Sequence, residues 1–224
     1  MSSQRLDQLR SSLAHLGDQS EPFGSLVLAS GEIALGQADL PDPATVAESC
    51  IKKGLALGDL KRALGWMQRL PPSKNLARFE LELADKGLLN EKFSSTEQHA
   101  AILERTKAAA LAATGQTKSA TELFEELITR WPADISIRRS MAQSLGGRNG
   151  DPEKALKQWR WIASRSRTRS ESWFEAKYES ARILVSLGKK QDAQKLLRFI
   201  QAVPPGWQKS KYRVRFDKLL LESR

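Results

Sequence analysis

The sequence predicts an all-α fold: a solenoid of antiparallel helix hairpins closed by a C-terminal capping helix. Three observations carry that expectation. The 224 residues hold 31 Leu and 26 Ala against 9 Ile and 5 Val, so helix formers dominate the aliphatic residues and a sheet-rich fold is disfavoured. All nine prolines fall between segments of helical apolar periodicity, which avoids the roughly 3 kcal/mol cost of proline inside a helix. A glycine followed five residues later by an alanine recurs at Gly58/Ala63, Gly115/Ala120, Gly150/Ala155 and Gly188/Ala193.

Taken in order, the periodic stretches predict helices near 3–16, 23–37, 43–57, 59–70, 74–90, 96–114, 117–130, 134–146, 152–165, 171–187, 190–202 and 207–222. Asp42-Pro43 and Asp151-Pro152 each place a capping carboxylate before a proline at the first helical position, where a missing N–H costs nothing. Ser94-Ser95-Thr96-Glu97-Gln98 offers two overlapping capping boxes ahead of the Ala-rich helix. Gly17, Gly58, Gly115 and Gly188 each follow an amphipathic stretch and read as C-terminal glycines. In the last helix Tyr212, Phe216, Leu219 and Leu220 form one stripe, with Lys209, Lys211, Arg213, Arg215 and Lys218 elsewhere. That pattern suits a cap with one wet face.

Alignment on the later alanines extends the repeat. Ala108, Ala142 and Ala181 precede Ala120, Ala155 and Ala193 by twelve or thirteen residues, and Leu111, Leu145 and Leu184 lie three further on. Phe124, Trp159 and Leu197 stand four beyond the later alanines, and Leu127, Ile162 and Ile200 three beyond those. Small residues on facing helices let two backbones approach, while a bulky neighbour one turn away fills the gap. A hairpin so patterned cannot bury its own apolar face, so copies must stack.

These residues resemble the tetratricopeptide repeat family. The unit 101–134 is the closest copy, with Ala108, Leu111, Gly115, Ala120, Phe124, Leu127 and Pro132 all in place. The unit 176–205 follows, with Ala181, Leu184, Gly188, Ala193, Leu197, Ile200 and Pro205; the middle copy carries an insertion at 146–150. Pentatricopeptide repeats share the period and hairpin shape and are the close competitor; Sel1-like repeats fit less well. The resemblance implies a right-handed superhelix in two parts. Residues 1–95 form an N-terminal helical region with one degenerate repeat at 44–72, and residues 96–224 hold three repeats and the cap.

Charge is unevenly placed. The net charge is +10, yet residues 1–100 carry 11 Lys/Arg and 13 Asp/Glu, whereas residues 101–224 carry 25 and 13. A basic half concentrates anionic partners near it. No apolar run approaches the roughly 20 residues of a membrane span, and the opening MSSQRLDQLRSSL lacks the apolar core of a signal peptide. The single Cys50 with His15 and His99 cannot form a disulfide or a cysteine–histidine zinc cage. A cytoplasmic, reducing setting is expected.

The same inventory gives little for catalysis. Neither histidine has a motif partner, Cys50 reads as a small buried hydrophobe, and the loop 146–151 lacks the Gly-Lys-Ser/Thr of a phosphate loop. No catalytic residue, metal or cofactor is expected. Under the repeat register, Arg105, Arg139 and Arg182, with Gln143 and Tyr178, lie on the groove side of successive first helices. A ladder of arginines there suits an acidic peptide. The co-chaperones of the family hold a terminal carboxylate with Lys and Asn, but Ala109 stands at the matching Asn position. A second cluster, Arg160, Trp161, Arg165, Arg167 and Arg169, sets an off-stripe tryptophan among arginines. It suits an acidic protein partner or a stacked base of RNA. The expected function is a non-enzymatic protein-interaction scaffold, with a helical-repeat nucleic-acid binder as the alternative. The groove positions repeat no fixed polar pair of the kind an RNA reader uses, which favours protein.

Overall fold

The computed structural model describes residues 11, 22–35, 42–70, 72–147, 150–203 and 207–223. Among them are eleven helices of ten residues or more and one short turn of helix, with no strand. We number them α1 (Pro22–Leu35), α2 (Pro43–Lys52), α3 (Leu57–Met67), α4 (Lys74–Leu89), α5 (Glu91–Ser94), α6 (Glu97–Ala113), α7 (Thr117–Arg130), α8 (Ile135–Leu145), α9 (Pro152–Arg165), α10 (Glu171–Ser186), α11 (Lys190–Ala202) and α12 (Arg213–Glu222). The fold is all-α, with consecutive helices packed on one another. The chain clusters into two compact units, residues 1–123 and 124–224. The expected helix at 3–16, with His15 and Gly17, and Pro205 lie outside the described residues.

Helix starts follow the capping residues. Asp42 accepts from the Thr45 N–H at 3.1 Å and Asp151 from the Lys154 N–H at 3.0 Å. Ser73, Asp134 and Ser170 likewise receive the first free N–H groups of α4, α8 and α10. Of the overlapping boxes before α6, Thr96 supplies the cap, accepting from His99 N–H at 3.3 Å. Each such cap contributes about 1 kcal/mol.

Three interhelical turns close in one way. Gly54, Gly115 and Gly188 have φ of +84°, +95° and +74°. In each, the next residue's N–H reaches five residues back: Leu55 to Cys50 at 3.2 Å, Gln116 to Leu111 at 2.8 Å, Lys189 to Leu184 at 2.9 Å. This left-handed closure is the one glycine adopts cheaply. It corrects the expectation at Gly58, which sits in the first turn of α3 rather than ending a helix. Gly54 ends α2 instead, because buried Leu55 turns the chain back into the core. The middle hairpin differs: a Cβ on Gly150 would stand 2.1 Å from the Leu145 carbonyl oxygen, so only glycine fits that close crossing. A second correction concerns the last helix, which begins at Arg213 and not at 207. Buried Ser210 accepts from the Tyr212 N–H at 3.1 Å and holds residues 207–212 in a turn.

The first unit's core joins Leu26 and Ile33 of α1, Cys50 of α2, Leu60 and Met67 of α3, and Phe79 and Leu83 of α4 to Leu103 of α6. A Cβ on Gly87 would come within 2.9 Å of Leu103, so this glycine lets α4 and α6 pack closely.

In the second unit the repeat positions are the core. Ala142, Ala155, Ala181 and Ala193 are at 0% exposure, as are Ala108 and Ala120 in the first. Phe124, Trp159, Leu197, Leu127, Ile162 and Ile200 are also buried. Successive first helices are tied by Arg139 of α8 and Glu175 of α10, at 3.1 Å. Successive second helices are tied by Lys154 of α9 to Glu125 of α7 at 2.9 Å, and by Lys189 to Glu153 of α9 at 2.6 Å. The cap completes the stack: Trp207 lies flat on Phe216 with centroids 4.9 Å apart, and Trp207 Nε1 donates to Asp217 at 2.8 Å. Its outward face is basic, but it also exposes Val214 and Leu221.

Candidate functional site

Of the five groove positions, Arg105 is half-buried on α6 in the first unit, and the other four belong to the second. The second unit brings Arg139 and Arg182 to carboxylates of its own. Arg139 sits 3.1 Å from Glu175 and donates to Ser172 Oγ at 3.1 Å. Arg182 Nε donates to Glu179, one turn earlier on α10, at 2.7 Å. Tyr178 is half-buried against the cap, edge-on to Phe216 at 5.5 Å and 5.8 Å from Tyr212. Burial, then the Glu179 charge, raises its phenol above the ordinary value. Gln143 is exposed. The arginine ladder is thus partly neutralised in place. The Arg182–Glu179 pair, with Arg182 40% exposed, is the more open of the two, and an exposed pair is worth about 0–1 kcal/mol, so an incoming carboxylate can compete for Arg182.

The second cluster is assembled by residues far apart in sequence. The Arg138 guanidinium lies 4.0 Å over the Trp161 ring, and Arg165 approaches it at 5.4 Å. Arg138 is held there by Gln158 Oε1 at 2.8 Å and by the Pro132 carbonyl at 3.2–3.3 Å. Desolvation, then the Arg165 charge, lowers its pKa from the usual arginine value. Trp161 therefore serves as a cation–π platform for the chain's own arginines. Arg160, Arg165, Arg167 and Arg169 are exposed, and none pairs with a carboxylate among the described residues. Arg169 has φ of +71°, a strained geometry for a non-glycine residue. The Ser170 N–H bond to the Arg167 carbonyl at 3.0 Å fixes the turn there.

Sequence reasoning missed a cleft of about 540 Å³ beside this cluster, where α9, α10 and α11 meet. Its walls carry Arg160 of α9, Lys177 of α10 and Lys195 of α11, against the single carboxylate of Asp192. Its apolar lining is Ala163, Leu184 and Leu196. The Lys177 ammonium stands 5.5 Å from the Trp173 ring centroid and 5.6 Å from that of Phe199. Burial, then the Arg160 charge, lowers its pKa. Phe199 itself is 53% exposed. The alanine register could have predicted the cleft's neighbours, since it already places these three helices side by side.

Cys50 is buried, and desolvation pushes its thiol up to about 11. No group of three or more His, Cys, Asp or Glu side chains that could hold a metal occurs among the described residues. None of the described helices is long and apolar enough to cross a membrane. In comparisons with known proteins, no family model, curated protein or solved structure matches the chain.

Proposed function

We propose that the chain is a non-enzymatic, tetratricopeptide-like scaffold whose basic second unit holds an acidic segment of a protein partner. The observation that carries the reading is the contrast among the arginines. Arg139 and Arg182 are matched by Glu175 and Glu179, whereas Arg160, Arg165, Arg167 and Arg169 have no such match. Residues 124–224 hold 22 Lys and Arg against 11 Asp and Glu, a net +11. An incoming anion can therefore reach Arg160 to Arg169 without displacing a carboxylate of the described residues. Protein is favoured over nucleic acid because Arg138 covers a face of Trp161 at 4.0 Å. On that face a base would compete with the guanidinium for stacking.

The test is direct binding of the full chain to two labelled probes, a Glu/Ser-rich peptide and a single-stranded RNA of similar length. The peptide should bind, and Arg165→Glu with Arg167→Glu should weaken it about tenfold, roughly 0.7 kcal/mol for each exposed charge interaction lost. RNA binding tighter than the peptide, falling steeply between roughly 50 and 200 mM salt, would overturn the reading.

A further inference from the structure

We infer that the α9–α10–α11 cleft is a specificity pocket that takes one bulky apolar side chain of a peptide, with a carboxylate beside it held by Arg160, Lys177 and Lys195. The inference rests on the acidic-partner reading and deepens it by naming the motif. It has three supports, each independent of the repeat resemblance.

Volume comes first. About 540 Å³ falls within the 300–1,000 Å³ of ordinary ligand pockets, and it accommodates a leucine or phenylalanine side chain with its adjoining backbone. Lining chemistry is the second support. Half-buried Leu196 offers apolar surface beside the cationic wall, with Leu184 behind it at 2% exposure, and the exposed Phe199 ring stands next to Lys177. A purely anionic ligand would leave that apolar surface unused. Charge is the third: three cations face one carboxylate, Asp192. Lys177 is half-buried between two rings, so its ammonium has lost water that a carboxylate would replace. A carboxylate arriving there binds in a partly dry setting, where charge-assisted hydrogen bonds are strongest.

The occupant is therefore a segment of the pattern acidic–apolar–acidic. Full burial of the apolar side chain should strengthen binding roughly ten- to hundredfold over the same segment without it. The lining of this pocket includes neither Arg139 nor Arg182, so it is separate from those two arginines.

The experiment titrates the full chain with two labelled peptides of about a dozen residues, one with a Leu-Phe pair among Glu and Ser, and one with that pair replaced by serine. The apolar-containing peptide should bind at least about tenfold tighter. Ser164→Trp, which fills the cleft without changing charge, should abolish that advantage and leave the serine-substituted peptide unaffected. Arg160→Glu with Lys195→Glu should weaken both peptides. Methyl resonances of Leu184 and Leu196 in the unmutated protein should shift on titration with the first peptide, a reading independent of any variant's folding. Equal affinity for both peptides, or unmoved Leu184 and Leu196 methyls, would sink the pocket while leaving acidic binding intact. If neither peptide binds, the acidic-partner reading fails with it. Displacement of the apolar-containing peptide from unmutated protein by millimolar inorganic phosphate alone would also overturn the pocket, since it would then be a simple anion site.

Discussion

Glu80 lies on α4 with its carboxyl largely withdrawn from water, and that burial alone lifts its pKa from 4.5 to about 7. The sign of the consequence follows from linkage. The folded state holds the proton more tightly than the unfolded state, so this residue's penalty is absent below pH 4.5 and grows as pH rises to 7. Above that it is fully present, at roughly 3 kcal/mol. Glu80→Gln should therefore stabilise the first unit by up to that amount at pH 8 and have little effect at pH 4.5. Denaturant titrations across that pH range, read on the α4 amides, check this; an unchanged pH dependence in the variant would refute it. Cys50 gives a second prediction of the same origin. A thiol at about 11 and 1% exposed is neutral and shielded at pH 8. Iodoacetamide should leave it unmodified in the folded chain and label it fully in denaturant.

At the scale of the helix and its turn, glycine positions separate cleanly by geometry. Gly188 has φ of +74° and open space where a Cβ would go, so Gly188→Ala costs backbone strain alone, about 1 kcal/mol. Gly150→Ala should cost more, because its Cβ would meet the Leu145 backbone at 2.1 Å. Gly58→Ala should be neutral or stabilising by about 0.5–1 kcal/mol, since Gly58 is helical and nothing lies within 4 Å of the added methyl. Thermal melts of the three variants give the order directly; Gly58→Ala as the most damaging would contradict the placement of the α2–α3 turn at Gly54. The same elements explain what was legible beforehand. Helix ends, caps and the alanine–aromatic register are local in sequence, so periodicity reveals them, and Ala155, Trp159 and Ile162 are buried as their spacing implies. Gly54 and Gly58 are four residues apart and both plausible ends; the choice falls to Leu55, whose burial only the folded core decides. The site was less legible for a related reason. Arg138 over Trp161, Arg139 with Glu175, and the cleft between Arg160, Lys177 and Lys195 join residues from different helices. Their meeting depends on rotation of each helix about its axis, which charge pattern along the chain does not specify.

At the scale of the chain, charge divides as the compact units do. Residues 1–123 carry 14 Lys/Arg and 15 Asp/Glu, close to neutral, while residues 124–224 are at +11. Like charges at this density repel, and several of the second unit's ion pairs, such as Lys154–Glu125 and Lys189–Glu153, are about half-exposed, too weak to offset much repulsion. A bound polyanion relieves that repulsion in one unit only. Adding a Glu/Ser-rich peptide at about a hundred times its dissociation constant should stabilise the second unit by roughly 2.7 kcal/mol. Hydrogen exchange should register this as slower opening of amides in α9, α10 and α11, with α2 and α4 unchanged. Because the attraction is electrostatic and much of it exposed, several hundred millimolar salt should remove most of the protection, the Debye length then falling to about 4–5 Å. Protection confined to α1–α4 would place the anion on the neutral unit, and no distribution of charge in this sequence would account for it.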